Sequence, residues 1–280
     1  MADRFLVLGS SSFYGSTFAN LVESRGHTAI RLQRPEWKLG DPLPDQDFDY
    51  VVNFASRSLV VESWAEPCEW LATNASDMTV LLEELRARRY KKFVHVSTPE
   101  VYGTTEGWVG EDYGPWKPST PYAVSRAAGD FMLMAYHRAY GLPAIITRTA
   151  NIYGKGQPAH RLIPLAFETL RSGEKLLLHG GGHTIRAWIH VKDACEALYK
   201  ISMHGSIGRT YHISTQQEYT VGAVVRKICK LIGKNYDGCV GTQPERLGKD
   251  HCYLLKSDAL RAMGWRDSYA LDRGLSEYAS

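Results

Sequence analysis

Long apolar runs are absent from this sequence of 280 residues. The longest, such as residues 5–8 and 50–52, fall far short of the ~20 residues that a membrane-spanning helix needs. No positively charged segment precedes an apolar stretch of the kind found in secretory signals. We therefore expect no membrane partner and a cytoplasmic location.

Cysteine is also sparse, and its pattern argues against cross-links and metal. The chain has five cysteines, an odd number with no C-x-x-C spacing, so neither a disulfide framework nor a zinc ribbon is indicated. His179 and His183 are separated by three glycines, which places them on a turn rather than along one helix face. The sequence predicts buried, reduced thiols and no metal site.

Neither sign of charge dominates the chain. Lys and Arg number 33 against 30 Asp and Glu, which gives a formal net charge of +3. Proteins that bind a nucleic-acid backbone rely on a broad basic face, and this balance excludes one. An acidic ligand must instead be met by a few placed cations.

Short apolar runs alternate with helical patterns over the first half of the chain. This alternation is typical of βαβ units, which build a parallel sheet with helices on both faces. The predicted strands are 4–8, 29–32, 50–53, 93–97 and 144–148, and the predicted helices are 13–25, 67–88 and 121–140.

Beyond about Asn151 the elements become shorter and more irregular. We predict an α/β fold: a doubly wound parallel sheet in residues 1–153, which regains segments near 186–215, and a smaller C-terminal α/β lobe in 154–280. Ligands of such a sheet bind at the carboxyl ends of its strands, and the 154–280 lobe is expected to hold the substrate.

A turn with glycine at both ends joins the first strand to the first helix. Its spacing is that of G-x-x-G-x-x-G with Ser12 at the middle position, where the added Cβ weakens the match. An ordinary strand-to-helix turn is the alternative interpretation. As a dinucleotide site, the turn would present N–H groups to a pyrophosphate. The predicted contacts are Gly9, Ser11, Ser12, Phe13, Tyr14 and Gly15.

The end of the second strand bears on which dinucleotide is bound. NAD sites usually place a carboxylate there for the ribose 2′-hydroxyl, but this chain has Gln33 and Arg34. Arg34, with Arg31 nearby, could pair with a 2′-phosphate. We therefore favour NADP over NAD, with Asp41 as a candidate contact to the adenine.

Hydroxyl, carboxylate and cationic side chains meet at the same edge of the predicted sheet. Tyr122 and Arg126 lie one helical turn apart near the start of a helix that begins with proline. The strand 93–97 delivers Thr98 and Glu100 to the same edge. A pair like Tyr122 and Arg126 is usually structural when it occurs alone, and the four together suggest acid/base chemistry.

These motifs make the sequence similar to the extended short-chain dehydrogenase/reductase family, in its NAD(P)-dependent nucleotide-sugar epimerase/dehydratase branch. It resembles most closely the members like dTDP-glucose 4,6-dehydratase, and the resemblance implies a Rossmann-type sheet. The matching segments are the glycine turn, 53–56, Asn74, 97–103, 121–126, 151–154, 161–164, 186–193, 246–250 and Tyr253.

The resemblance implies a role for each catalytic candidate. Tyr122 would take the proton of the sugar 4-hydroxyl while hydride leaves C4, Thr98 would orient that hydroxyl, and Glu100 would remove the C5 proton. Arg126 stands where relatives carry a lysine that also bridges to the cofactor ribose. Lowering a phenol pKa from ~10 to ~7 takes about 4 kcal/mol, roughly what one cation at ~4 Å supplies.

Pro99 leaves the reaction type open, because dehydratases of the family carry an acid or a serine at this position. A 4,6-dehydratase, a lyase, would need Glu100 to act as both base and acid. We favour the dehydratase, with elimination of water across C5 and C6 and return of hydride to C6, because of Glu100. The alternatives are a nucleotide-sugar 4-epimerase, which needs no such carboxylate, and a relative that binds NAD(P) or a nucleotide sugar without turnover.

The resemblance also implies the ligand contacts and the assembly. Phe54 and Ala55 would touch the cofactor, together with Tyr122 and Arg126. The substrate would be a nucleotide-diphosphate sugar for polysaccharide or glycoconjugate biosynthesis, and many relatives are homodimers. The implied substrate contacts are Asn151, Arg161, Leu162, Arg186, Arg246 and Tyr253.

Overall fold

A parallel sheet of six strands forms the centre of the protein, in a computed structural model that describes residues 2–278. The strands of the chain are β1 Arg4–Leu8, β2 Thr28–Leu32, β3 Tyr50–Asn53, β4 Lys92–Ser97, β5 Trp108–Val109, β6 Ala144–Thr149, β7 Asn151–Tyr153, β8 Leu176–His179, β9 Ile185–His190, β10 Thr210–Ile213, β11 Glu218–Thr220, β12 Val240–Gln243 and β13 Cys252–Leu255. The central order is β10-β6-β4-β3-β1-β2, and every neighbouring pair is parallel. The chain winds outward from β1 in both directions, so the predicted doubly wound α/β sheet is confirmed.

Helices cover both faces of this sheet. The α-helices are α1 Phe13–Ser24, α2 Glu62–Ala65, α3 Pro67–Leu71, α4 Met78–Arg86, α5 Pro121–Tyr140, α6 Leu162–Ser172, α7 Val191–His204, α8 Val221–Leu231, α9 Tyr236–Cys239, α10 Asp258–Ala262 and α11 Leu271–Ser276. Phe5 and Val7 of β1 pack in the cluster that holds α1 and α7, whereas Leu6 and Leu8 pack in the cluster that holds α4 and α5. Burial on both sides is why β1 reads as one continuous apolar run.

A second set of strands lies outside the central sheet. Four of them follow the order β11-β9-β13-β5, β7 also pairs with β9, and β8 pairs with β12. Tyr153, Phe167 and Ile228 are among the buried residues of the core that these strands share with α6 and α8. The chain crosses between the two sheets, since β5 joins the second sheet and β10 joins the first.

The helix predicted over 67–88 is not continuous. It divides into α3, a π-helical turn at Ala72–Asp77, and α4. Asn74 lies in this turn, and its side chain bonds both backbone groups of Arg57 and the Ser125 hydroxyl, each at 2.9 Å. Asn74 thus joins the segment after β3 to α5, the helix that carries Tyr122 and Arg126.

The carboxyl ends of β1, β2, β3, β4 and β6 lie along one edge of the central sheet, and the candidate site is built there. No helix among residues 2–278 is long and apolar enough to cross a bilayer. Within the same residues, no group of three or more His, Cys, Asp or Glu side chains could hold a metal ion.

Candidate active site

The glycine turn after β1 leaves no room for side chains at two positions. A Cβ on Gly9, whose φ is +76°, would lie 2.7 Å from the Ala55 nitrogen, and one on Gly15 would lie 2.6 Å from the Gly9 oxygen. Both glycines are therefore required by the close approach of α1 to the ends of β1 and β3. The resulting cradle has the form that a dinucleotide pyrophosphate fits.

Ser12 occupies the middle position without strain. Its φ is −67°, and its Oγ caps α1 by accepting from the Gly15 N–H at 3.1 Å and donating to the Gly9 oxygen at 2.8 Å. The cap leaves the N–H groups of Phe13 and Tyr14, in the same first turn, as those available to an anion. The Tyr14 hydroxyl is taken by the Ala194 oxygen of α7, so only the backbone of Tyr14 can serve a cofactor.

The side chains at the end of β2 border a cavity of about 430 Å³. Arg31 is held by Glu23 and Asn20, and Gln33 by the Ser10 hydroxyl at 3.1 Å. Arg34 is exposed, while the Asp41 carboxylate accepts from the Lys38 N–H at 2.8 Å and stabilises its own turn. The cavity lining is Arg31, Leu32, Gln33, Glu36, Trp37, Pro42 and Pro44.

The three reacting side chains named from the sequence are brought together. Thr98 and Tyr122 are buried, at 6% and 7% exposure, and the Thr98 Oγ1 accepts from the Glu100 N–H at 3.2 Å. Thr98 thereby caps a 3₁₀ turn, Pro99–Tyr102. Pro99 fits the first position of this turn because the N–H that it lacks would have no partner there.

The Glu100 carboxyl has an acid/base balance suited to taking and giving a proton. Burial, followed by the negative charge of Asp250, raises the pKa of the Glu100 carboxyl to about 7, against the opposing effect of Arg186, Arg161 and Arg246. A carboxyl with this pKa is populated in both protonation states near neutral pH.

The Tyr122 phenol departs from the sequence-based expectation. Arg126 does lower its pKa, as do the Thr98 hydroxyl and Arg161, but burial is the larger effect and the charge of Glu100 adds to it. The net pKa of Tyr122 is raised above its ordinary value. Arg126 therefore acts on the phenol pKa in the expected direction, but burial outweighs it.

Arg126 points toward β4. Its Nη2 donates to the Val96 oxygen, and its Nε has no hydrogen-bond partner among the described residues. The nearby Asp130 carboxylate forms an ion pair with Arg148, whose Nη1 donates to Oδ2 at 2.6 Å. The same oxygen accepts from the Ser97 hydroxyl at 2.7 Å. The charge of Arg126 is therefore not neutralised by Asp130.

A buried polar network that the sequence analysis missed continues from Asp130 to the cofactor side. The Asn53 oxygen accepts from the Ala55 N–H at 2.9 Å, so its Nδ2 donates to His95 Nδ1 at 3.2 Å. The other ring nitrogen, Nε2, lies 3.4 Å from Arg126 Nη2 and 3.5 Å from Asp130 Oδ1. Burial, with the charge of Arg126, lowers the pKa of His95 to about 3. With His95 neutral, two arginines and one carboxylate leave this buried network with a net positive charge.

The residues expected to hold the substrate form two groups. Arg186 is buried and stacks 3.9 Å from the centre of the Tyr253 ring, whose hydroxyl donates to Asn151 at 3.0 Å. Arg161 and Arg246 are exposed, and with Arg186 they act electrostatically on Glu100. Leu162, half-buried, begins α6 beside Arg161.

The three arginines therefore act on the Glu100 carboxyl together, although they come from separate parts of the chain. Asp250, which acts on the same carboxyl, was part of a recognised sequence motif but had been given no role. Its contacts lie far apart in the sequence, so no local signal could have found it.

Comparisons with known proteins agree with this geometry. The model of the NAD dependent epimerase/dehydratase family matches residues 5–214. A dTDP-glucose 4,6-dehydratase of Streptomyces niveus is 36% identical over 82% of this chain and 68% of its own length. One from Xanthomonas campestris pv. campestris (strain ATCC 33913) is 33% identical over 98% and 91%.

A solved structure shows the same likeness in three dimensions. The crystal structure of a dTDP-glucose 4,6-dehydratase from Streptomyces venezuelae, with NAD bound, superposes with a TM-score of 0.88 at 28% identity. The match covers 98% of this chain and 96% of that one.

Proposed function

This chain belongs to the NAD dependent epimerase/dehydratase family, and we propose that it is a nucleotide-sugar 4,6-dehydratase. The observation that carries this proposal is Glu100, a carboxyl with a pKa of about 7 at the site that holds Tyr122. An epimerase that inverts C4 alone has no need of such a carboxyl, whereas elimination across C5 and C6 has.

The chain's own residues divide the proton transfers between them. Tyr122 takes the proton of the 4-hydroxyl, which Thr98 orients, and the positive charge of Arg126 favours the phenolate that results. Glu100 takes the proton from C5 and passes it to the 6-oxygen, since Pro99 offers no donor. When bound, an oxidised nicotinamide would supply the hydride acceptor for C4, the hydride donor for C6 once reduced, and a further positive charge near Tyr122.

The substrate is a nucleotide-diphosphate sugar bound by the second lobe, residues 154–280. The convergence of Arg161, Arg186 and Arg246 on one carboxyl supports a diphosphate there, because a nearly neutral protein must meet that charge locally. Asn151, Tyr253 and Leu162 then contact the nucleotide side. Lyase activity on such a substrate places the enzyme in the biosynthesis of a polysaccharide or glycoconjugate.

The decisive experiment incubates the wild-type protein and Glu100→Gln with a panel of dTDP-, UDP-, GDP- and CDP-sugars and identifies the products by mass spectrometry. We expect the wild type to yield a product lighter by one water from at least one substrate, and Glu100→Gln to lose this activity by about a hundredfold or more.

The exposed Glu168→Gln in α6 is the matched control and should behave as the wild type. A product of unchanged mass that also forms with Glu100→Gln would instead identify a 4-epimerase. No product from any sugar, with cofactor still bound, would identify a non-catalytic relative.

The cofactor is a nicotinamide dinucleotide, and we propose that NADP is preferred. The support is Arg34, which is exposed and follows Gln33 of the cavity lining in the sequence, while Arg31, the arginine that does line the cavity, is already paired with Glu23. Arg34→Ala should weaken NADP binding about tenfold and leave NAD unchanged, as measured by calorimetric titration. Arg209→Ala, at an exposed site elsewhere, is the control. An unaltered preference would assign the cavity to NAD, with Glu36 as the partner of the ribose hydroxyl.

We also propose a cytoplasmic homodimer. Unpaired cysteines support a reducing compartment, since the sulfurs of Cys229 and Cys239 lie only 3.8 Å apart as thiols. Exposed apolar side chains on neighbouring helices support self-association, because such a surface is stabilised by burial against a second copy. They are Leu71 of α3, Val80 of α4, and Val124, Phe131 and Met132 of α5.

A further inference from the structure

Asp250 connects the two segments that carry the catalytic acid/base residues. It lies in the loop between β12 and β13 and is only 5% exposed. The Thr104 hydroxyl donates to its Oδ1 at 3.5 Å. Burial raises the pKa of the Asp250 carboxyl, against the effects of the neighbouring Ser119 hydroxyl, Arg186 and Thr104. Thr104 follows the turn that holds Glu100, and Ser119 lies just before α5, which carries Tyr122. The Asp250 carboxyl thus lies between the end of one segment and the start of the other.

The backbone around Asp250 extends this connection to the substrate side. The Asp250 backbone oxygen accepts from Arg186 Nη2 at 2.7 Å, and the His251 N–H donates to the Thr104 hydroxyl Oγ1 at 3.1 Å. Gly248, with φ of +65°, brings the loop so close that a Cβ there would lie 2.5 Å from the Ser119 oxygen. The loop is therefore packed tightly on the catalytic segments.

The charged groups that face Glu100 make Asp250 distinctive. Arg161, Arg186 and Arg246 favour the ionised carboxyl, while Asp250 is the negative charge that opposes ionisation. Tyr122 and Tyr253 are further titratable neighbours, and the charge of Glu100 acts to raise the pKa of both phenols. Removing Asp250 would leave burial as the main effect that opposes the three cations at Glu100.

We propose that Asp250 is a positioning residue for the elimination step: it fixes the Glu100 turn against the Tyr122 helix, and its negative charge helps Glu100 keep the proton taken from C5. This inference rests on the proposed dehydratase function. In that step the C5–H bond breaks, and its electron pair forms the C5=C6 double bond as the C6–O bond breaks. The proton held by Glu100 leaves with the 6-oxygen as water. Since Pro99 donates nothing, the same carboxyl must hold the proton between the two transfers.

The test is Asp250→Asn, which keeps the shape of the side chain and removes its charge. Because a like charge raises the pKa of a neighbouring carboxyl, we expect the acidic limb of the pH profile for dehydration to move about one pH unit lower. A weaker base should also reduce kcat about threefold or more at neutral pH, with KM nearly unchanged. The initial C4 oxidation, followed by absorbance of the reduced nicotinamide, should keep its wild-type rate.

Two further variants separate this role from a merely structural one. Asp250→Glu restores the charge and should return the limb toward the wild-type pH, even where a displaced carboxylate lowers the rate. Asp272→Asn, an exposed aspartate paired with Lys227, should change none of these readouts.

Three outcomes would overturn the inference. An unmoved limb with a raised KM would make Asp250 only structural, and complete loss of dehydration while C4 oxidation keeps its wild-type rate would make it the acid itself. A wild-type protein that oxidises C4 but never releases water would overturn the proposed function as well. If the wild type does dehydrate its substrate, the first two outcomes overturn only the role proposed for Asp250.

Discussion

Arg126 shows how a single buried residue can set the chemistry of its neighbour. At 4% exposure, a lysine ammonium would lose proton affinity through desolvation, whereas a guanidinium remains charged. With Asp130 bound to Arg148, the charge of Arg126 has no carboxylate partner among residues 2–278 and acts on the Tyr122 phenol. The replacement of the family lysine thus keeps the cation while directing its hydrogen bond to the backbone of β4.

Removing the charge of Arg126 should shift the pH dependence of C4 oxidation to higher pH. In Arg126→Met the phenol loses a group that lowers its pKa, so the limb on which Tyr122 ionises moves upward. A shift of about one pH unit corresponds to a roughly tenfold slower oxidation at neutral pH. The measurement is the pH dependence of reduced-nicotinamide formation in single turnovers.

Arg209→Met, at an exposed position, is the control and should leave the limb in place. If the limb of Arg126→Met also stayed where it is in the wild type, Arg126 would be a packing residue and not the electrostatic partner of Tyr122.

Among the elements, α5 and the π-helical turn before α4 depend on each other. Gly129 of α5 lies against this turn, and a Cβ there would be 2.4 Å from the backbone oxygen of Asn74. The Asn74 side chain reaches the same helix through Ser125. This close approach fixes α5 along the sheet and so sets where Tyr122 enters the site.

Gly129→Ala should destabilise the protein by about 1–3 kcal/mol, because a helix and a backbone oxygen must move apart. In an open helix the same change would stabilise by up to ~1 kcal/mol, so the sign tests the contact itself. Urea unfolding measures the free energy of unfolding directly.

Gly238→Ala in α9 is the matched control, since a Cβ there meets nothing within 4 Å. It should change stability little or increase it. A Gly129→Ala protein as stable as the wild type would show that α5 can shift without cost.

At the scale of the whole molecule, exposed apolar side chains lie on α3, α4 and α5. The last of these helices, α5, also carries Tyr122. Burial of these side chains in a homodimer would hold α5 from the outside as Asn74 holds it from within. Association and the geometry of the site would then be connected through one helix.

Met132→Asp should shift the protein from dimer to monomer at micromolar concentration, because a carboxylate buried in an apolar interface costs several kcal/mol. Sedimentation velocity gives the mass in solution. Ile207→Asp, an equally apolar substitution site on an exposed turn, should remain dimeric. A wild-type protein that sediments as a monomer would refute the homodimer.

Local sequence patterns predicted the helices and strands whose bounds depend on residues close together in the sequence. Strand 50–53 and helix 121–140 have the predicted bounds, since an apolar run defines the first, and a proline start and a glycine end define the second. The π-helical turn was missed because inserting it leaves the apolar spacing of the flanking helices unchanged.

The sequence by itself determined the class of sheet and the glycine turn, and it predicted Thr98, Glu100 and Tyr122 as the reacting side chains, because each lies in a contiguous motif. Only the tertiary structure decided their electrostatics. Burial raises the pKa of Tyr122 despite Arg126, and Asp250 reaches Glu100 from a loop some 150 positions further along the chain. Charges interact through space and desolvation depends on packing, so neither effect can be read from spacing along the chain.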